Sequence, residues 1–260
     1  KIVIHGLFDI KLVLILFFMP WLSKRCYWVI WGWDLYIYRL GERNWRWRIR
    51  EFFRRPVIRR MGNFVTYIKG DYELVRQWYS GTGVCHNCLM YPSNLYKEFD
   101  VPERVHSGIN IMVGNSADPC NNHTEVFEKL KLIKDKDFTV FVPLAYGNQL
   151  YALSIIKEGT EAFGEKFIPV TKVMPLNDYV RFLASMDIAI FNHERQQAMG
   201  NTITLLGLGK MVYMRTDVTQ WSFLKSIHVN VYDVNEIVVH IGNSVDVEKE
   251  MLSNREVIRK

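Results

Sequence analysis

The feature that most constrains this chain is an alternation in its second half. Short β-rich apolar runs occur at 109–113, 138–143, 168–173, 187–191, 210–214 and 228–232. Segments with helical periodicity lie between them, near 122–134, 148–160, 176–186, 201–208 and 217–226. Strands separated by helix-length segments cannot pair as hairpins; they form βαβ units and a parallel sheet with helices on both faces. Gly209 stands where a helix C′ residue is wanted, directly before the run at 210–214.

The first part repeats the theme with less regular spacing. Strands are expected at 2–5, 27–31, 64–69 and 84–90, and helices near 9–18, 44–60 and 71–79. Residues 91–107, with Pro92 and Pro102, form the best linker. The expectation is an α/β protein of two Rossmann-like domains, 1–100 (partial) and 101–260. At 260 residues the chain suits two domains, and 49% hydrophobic content argues against disorder. The apolar run at 8–19 is interrupted by Asp9 and Lys11 and ended by Pro20. That is too short to span a bilayer, and it reads as a buried or interfacial helix.

Charge is concentrated in one segment. Residues 39–60 hold nine arginines against Glu42 and Glu51, a local +7 within a net charge of +6, so the remainder carries −1. Trp45, Trp47, Phe52 and Phe53 are interleaved with Arg46, Arg50 and Arg54. On a helix, Trp45, Ile49, Phe52 and Phe53 share a stripe from which those arginines point away. An anionic lipid surface suits that pattern. Packing on the chain's own sheet and nucleic-acid binding are the alternatives, and nucleic acid is set aside because no nucleic-acid fold signature accompanies the patch. Four cysteines (26, 85, 88, 120) form no framework: Cys85 and Cys88 have zinc-ligand spacing, but no second pair follows. No metal is expected, and the thiols read as reduced and cytoplasmic.

Ligands of open parallel sheets bind outside the carboxyl ends of the strands. Those positions carry His5 and Gly6, then Gly32 and Asp34, in the first part. In the second they carry Gly114, Asn115, Ser116 and Asp118, then Pro143 and Tyr146, and then the run from Asn192 to Asn201. Neither GxGxxG nor GxxxxGK[ST] is present. Gly200-Asn201-Thr202 nevertheless opens a helix whose free N–H groups and positive dipole end suit a diphosphate, and Arg195 can add a fork of donors. Gln196 and Gln197 offer donors and acceptors to sugar hydroxyls. Asp34 or His5 could take a proton from an acceptor hydroxyl.

Four stretches together resemble one family: "WVIWGWDLY" (28–36), "VGNSADPCNNH" (113–123), "VFVPLAYG" (140–147) and "RQQAMGN" (195–201). They are similar to the bacterial TDP-N-acetylfucosamine:lipid II N-acetylfucosaminyltransferases, the 4-alpha-L-fucosyltransferase family of glycosyltransferase family 56. The resemblance implies a GT-B fold, with a nucleotide-sugar domain at the C-terminal side and an acceptor domain at the N-terminal side, and no catalytic metal or cofactor. It implies transfer of an acetamido-fucose from a TDP-sugar to a polyprenyl-diphosphate-linked saccharide in enterobacterial common antigen assembly, at the cytoplasmic face of the inner membrane. Gly114, Asn115, Ser116, Asp118, Pro143, Tyr146, Arg195, Gln196, Gln197, Gly200 and Asn201 are then expected on the donor, and His5 and Asp34 at the catalytic position. A nucleotide-sugar epimerase and a non-enzymatic membrane-surface module are the competing readings.

Overall fold

A computed structural model of the chain describes residues 1–89, 91–101, 106–133, 136–243 and 248–259. Part of the expected linker, 102–105, and the last residue of the strand expected at 84–90 lie outside the described residues. Two compact units result, Lys1–Pro92 and Ser93–Lys260, each with its own sheet and core.

Unit 1 contains β1 (Ile2–His5), α1 (Ile10–Phe18), α2 (Pro20–Ser23), β2 (Cys26–Val29), α3 (Trp33–Leu40), α4 (Trp45–Arg59), β3 (Asn63–Thr66), α5 (Lys69–Tyr79) and β4 (Val84–Asn87). Its four strands are all parallel and lie in the order in which they occur, β1-β2-β3-β4. Successive right-handed crossovers in one direction leave every helix on the same side. Accordingly Ile4, Trp28 and Phe64, neighbours across the sheet, are buried in one cluster with Val13, Leu16, Leu35, Val57, Ile58 and Val75 from the helices. The opposite face keeps Val3, Tyr27, Asn63, Val65 and His86 wholly or partly exposed. Among the described residues the helices of unit 1 therefore pack on one face of its sheet. Helix α3 was not foreseen either: "WDLYIYRL" is rich in aromatic and β-branched residues, and the helix is set by Gly32 at its N-cap and by packing of Leu35 and Tyr36.

Unit 2 contains β5 (Ile109–Val113), α6 (His123–Leu130), β6 (Phe138–Pro143), α7 (Gln149–Phe163), β7 (Phe167–Val170), α8 (Leu176–Ala184), β8 (Ile188–Phe191), α9 (Met199–Gly207), β9 (Met211–Met214), α10 (Thr219–Ser226), β10 (Tyr232–Asp233), α11 (Ile237–Asn243) and α12 (Glu248–Arg259). All strands are parallel, in the order β10-β9-β8-β5-β6-β7. The chain winds from β5 through β6 to β7, then returns to the other edge of β5 with β8, so the order reverses between β5 and β8. Strands buried on both faces read as continuous apolar runs, and β8, "IAIF", is buried at all four positions. Ile111, Val113, Val140 and Ile190 pack with Val126, Phe127, Leu130 and Ile155; Met112, Ala189 and Val212, facing the other way, are buried as well. Asn110 fixes the central register: Asp187 Oδ2 accepts its backbone N–H at 2.8 Å, and its side chain donates to the Ser185 carbonyl at 2.9 Å. The strand expected at 228–232 is replaced by Tyr232–Asp233: His228 takes a left-handed φ of 60° after α10, and the Asn254 side chain bonds both the N–H and the carbonyl of Asn230.

Candidate functional site

The reversal between β5 and β8 is where an open α/β sheet leaves room for a ligand beyond its carboxyl ends. The loop leaving β5 is tied to its neighbours on both sides. Gly114 N–H donates to the Ile190 carbonyl (2.9 Å), Ala117 N–H to the Tyr146 carbonyl (2.8 Å) and Asn148 N–H back to the Ala117 carbonyl (2.9 Å). Asn121, fully buried, holds the loop from within. Its Oδ1 accepts from Asn115 N–H (3.0 Å), and its amide donates to the carbonyls of Ser116 (3.2 Å) and Asp118 (2.9 Å). Gly114 has φ 69°, and a Cβ there would stand 2.5 Å from His123 Nε2 and 2.8 Å from Asn121 Oδ1. The space a small residue leaves at 114 is thus filled by the protein's own side chains.

Asp118 and Arg195, both expected on the donor, meet each other: Arg195 Nη2 donates to Asp118 Oδ2 at 2.9 Å, and Nη1 to the Gln196 carbonyl at 3.2 Å. Asp118 Oδ1 also accepts from Cys120 N–H (2.9 Å). Burial alone would raise the Asp118 carboxyl; the Cys120 N–H and the Arg195 guanidinium outweigh it, and the net shift is downward. The guanidinium therefore bridges the loop after β5 to the loop after β8.

Two histidines underlie this bridge, and the sequence reading assigned neither a role. His193 Nε2 lies 2.8 Å from Asn121 Oδ1, an acceptor, so Nε2 carries the proton. His123 Nδ1 lies 3.0 Å from Tyr151 Oη. Burial first, and for His193 also the nearby Arg195, holds their pKa values down, to about 3 for His193 and about 4 for His123. Both are neutral in the folded protein where the unfolded chain, near 6.5, begins to take up protons. Stability from these groups is therefore fully present above 6.5 and lost as pH falls toward 4. The melting temperature is expected to drop between pH 7 and pH 5, above the range where ordinary carboxylates titrate; a flat profile across that window would contradict the buried neutral pair.

Beside the bridge is a recess of about 200 Å³, lined among others by Asn115, Pro143, Tyr146, Lys172, Tyr179 and Asn201. Its polar wall is a relay: Gln197 Nε2 donates to Asn115 Oδ1 (2.9 Å), and Asn115 Nδ2 donates to Tyr146 Oη (2.8 Å). Asn201 Nδ2 donates to Tyr179 Oη (2.8 Å). Gln197 Oε1 is buried with no hydrogen-bond partner among the described residues, an acceptor that a ligand hydroxyl could satisfy. Helix α9 starts two residues earlier than expected, so Gly200 and Asn201 lie in its first turn. Its N-cap, Ala198, has a left-handed φ of 55° and supplies no capping side chain. A non-glycine residue held there is strained, of order 1–2 kcal/mol, and the N–H groups of the first turn are left for another partner. Lys172 and Tyr179 were not foreseen, because they follow β7 and enter α8 at positions no motif marks.

In unit 1 the two candidate bases differ sharply. Asp34 was expected beyond the strand ends, open to an acceptor; instead it is 1% exposed. Its carboxylate accepts from Leu7 N–H (3.0 Å), Trp28 Nε1 (2.6 Å) and Trp31 N–H (2.9 Å). Burial raises its pKa despite these donors. It ties the ends of β1 and β2 to the first turn of α3, a structural task carried out from a buried position. His5 is exposed at the carboxyl end of β1, with the Trp31 ring edge-on at 6.5 Å.

The aromatic and basic helix also separates into two kinds of residue. Trp45 and Phe52 are exposed, and Arg46 lies over the Trp45 ring at 5.4 Å. Trp47 is half-buried, its Nε1 donating to the Ile37 carbonyl (3.0 Å), and Phe53 packs edge-on against Phe17 at 5.0 Å. Arg50 is half-buried and donates to the Phe8 carbonyl. Arg54, expected to point outward, is 0% exposed: it pairs with Glu51 at 2.8 Å and donates to the Asp34 carbonyl. Arg54 is a core residue because Glu51, one turn back on the same helix, Tyr79 and the first turn of α3 converge on it, and helical spacing could reveal only the first of these. Among the described residues no helix is long and apolar enough to cross a membrane, and no group of three or more His, Cys, Asp or Glu side chains is arranged to hold a metal.

A family model described as "4-alpha-L-fucosyltransferase glycosyl transferase group 56" matches residues 1–258. The chain belongs to this glycosyltransferase family. Solved structures agree on the architecture. Sucrose-phosphate synthase from Thermosynechococcus elongatus superposes with a TM-score of 0.68 at 11% identity, over 93% of this chain and 66% of that one. WaaG, a glycosyltransferase involved in lipopolysaccharide biosynthesis, gives 0.64 at 11% identity, over 90% and 69%. Anabaena Alr3699/HepE, solved in complex with UDP and glucose, gives 0.66 at 10% identity, over 96% and 70%. The fold of the group 56 chain is therefore the GT-B type, and the chain spans about two thirds of the length of these structures.

Proposed function

We propose that this group 56 chain transfers 4-acetamido-4,6-dideoxygalactose from a TDP-sugar to a polyprenyl-diphosphate-linked saccharide, in enterobacterial common antigen or related surface-polysaccharide synthesis. The observation that carries the reading is the uncapped, strained start of α9 beside a recess lined by Asn115 and Asn201, with the buried, unpartnered acceptor Gln197 Oε1 on the side chain that bonds Asn115. Amide N–H groups and the positive end of a helix suit a diphosphate. Asn115, Tyr146, Gln197 and Asn201 offer the hydrogen-bonding groups that a sugar and a nucleoside require. In the transfer, the acceptor hydroxyl bonds to the anomeric carbon, the bond from that carbon to the diphosphate oxygen breaks, and TDP leaves with the pair of electrons. Its charge is held by the first turn of α9 and by Arg195, which suffice without a metal or other cofactor. The hydroxyl proton passes to His5, the exposed imidazole of the two expected bases. The acceptor's lipid places the work at the cytoplasmic face of the bacterial inner membrane, with the chain bound there peripherally and no nucleic-acid partner.

A panel of TDP- and UDP-sugars, scored by melting-temperature shift and by release of nucleoside diphosphate, tests this. TDP-sugars are expected to stabilise the protein selectively, and turnover should persist in EDTA. Equal response to both nucleotides, or to neither, overturns the donor assignment. Release of an isomerised free nucleotide sugar overturns transfer.

A further inference from the structure

The carboxyl ends of the unit 1 strands carry His5, but the amino ends carry a second feature that the sugar chemistry does not use. A cavity of about 820 Å³ opens there, its walls formed by Lys24, Arg55, Arg59 and Arg60 with Trp78 and Tyr79. Its position follows from the topology: Lys24 lies just before β2, while Gly62 and Gly83, also in its lining, immediately precede β3 and β4. No aspartate or glutamate lines it. None of the four cations is in an ion pair among the described residues, although Arg55 lies over the Tyr38 ring at 4.9 Å. Helices α4 and α5 end at this edge, and each end contributes about half a negative charge. Two such ends cannot neutralise four cations, so the cavity keeps a positive excess that a bound anion would relieve.

The same elements carry an apolar crest. On α4, Trp45, Ile49 and Phe52 are exposed, and the same stripe continues at helical spacing into Arg55, Pro56 and Arg59 of the cavity wall. Helix α1 adds Phe18, 70% exposed, and α2 adds Trp21, 56% exposed, before the chain reaches Lys24. Phe17 joins the two sets, its ring 6.3 Å from Phe52 and 5.0 Å from Phe53. Large apolar side chains exposed in continuity with a cationic recess are what an interfacial surface requires: hydrocarbon contact on one side and headgroup charge on the other.

We propose that this edge of unit 1 seats the phosphodiester headgroups of an acidic phospholipid bilayer in the Lys24–Arg55–Arg59–Arg60 cavity while Phe18, Trp21 and Phe52 enter the acyl boundary. Nucleic acid would match the cations but not the crest, and a soluble phosphate would need no crest at all. The inference deepens the membrane placement proposed above and is independent of which sugar is moved.

Co-sedimentation of the full chain with phosphatidylcholine vesicles, with and without phosphatidylglycerol, tests it. The unaltered protein should bind the acidic vesicles and hardly bind neutral ones. The triple variant R55Q/R59Q/R60Q removes only exposed cations; it should keep the melting temperature, keep any shift given by TDP-sugars, and lose roughly a hundredfold in affinity for acidic vesicles. The variant F18S/F52S should weaken binding to the same vesicles with the cavity intact. Equal vesicle binding by the triple variant overturns the proposal, as does F18S/F52S binding like the unaltered protein. Displacement from vesicles by millimolar glycerol phosphate, or retention by duplex DNA without vesicle binding, overturns it in favour of a soluble anion or a nucleic acid.

Discussion

Replacing Arg54 by alanine is expected to destabilise the protein by about 3–5 kcal/mol, the usual result of breaking a fully buried ion pair from one side. The guanidinium has no exposure and meets Glu51 at 2.8 Å, Tyr79 Oη at 3.4 Å and the Asp34 carbonyl. Removing it leaves Glu51, 3% exposed, with its Oε1 held only by the Tyr79 hydroxyl at 3.3 Å and its Oε2 unpartnered. Burial pushes the Tyr79 hydroxyl pKa upward, so it remains a donor and cannot supply the missing positive charge. Arg54→Met keeps much of the volume and should fare nearly as badly, because the carboxylate is still stranded. The double variant R54M/E51L, which removes both charges, should recover most of the loss. Urea or thermal unfolding decides the matter. If Arg54→Ala leaves stability intact and abolishes vesicle binding instead, Arg54 is the outward-facing cation that helical spacing suggested.

The second large effect is expected on turnover. Arg195→Ala should lower kcat for a TDP-sugar by about 10²–10³, the range seen when one preorganised donor to a developing negative charge is removed. The ion pair with Asp118 holds the side chain in place between the loops after β5 and β8. A purely structural bridge makes a different forecast: Arg195→Ala and Asp118→Ala would then lower the melting temperature alike and change kcat little. Arg195→Lys keeps the charge but loses the planar fork, and should fall between the two. Near-normal turnover in Arg195→Ala would remove it from the group that holds the diphosphate.

What the sequence made legible was what depends on neighbours along the chain. The parallel strands at 109–113 and 138–143 were visible as apolar runs, and they stand at Ile109–Val113 and Phe138–Pro143. The polar rim beyond them was visible because small and amide residues interrupt those runs abruptly. Partnerships across the fold were hidden. The burial of Asp34 is decided by Leu7, 27 residues away, and that of Arg54 by Tyr79, 25 residues away. The helix over "WDLYIYRL" was hidden for a related reason, since its aromatics favour strands locally and only packing makes them helical. What the missing side chain of Gly114 makes room for was hidden too, since His123 and Asn121 reach it only in the folded loop. The cavity at the amino edge of unit 1 could not have been read at all, because Lys24, Arg59 and Gly83 converge only once the sheet exists.

The strand order of unit 2 also governs the order of its assembly. β5 can pair with β6 as soon as residues 138–143 have been synthesised, but its other edge waits for β8, which begins at Ile188. Until then the ribosome-bound chain carries an unpaired edge of buried-type residues, the kind of surface on which nascent chains mispair. Gly114 N–H waits for the Ile190 carbonyl and Asn121 for His193. The loop beside the recess is therefore finished only after more than half of unit 2 has emerged, and a chain arrested before residue 188 carries the loop without its final hydrogen bonds.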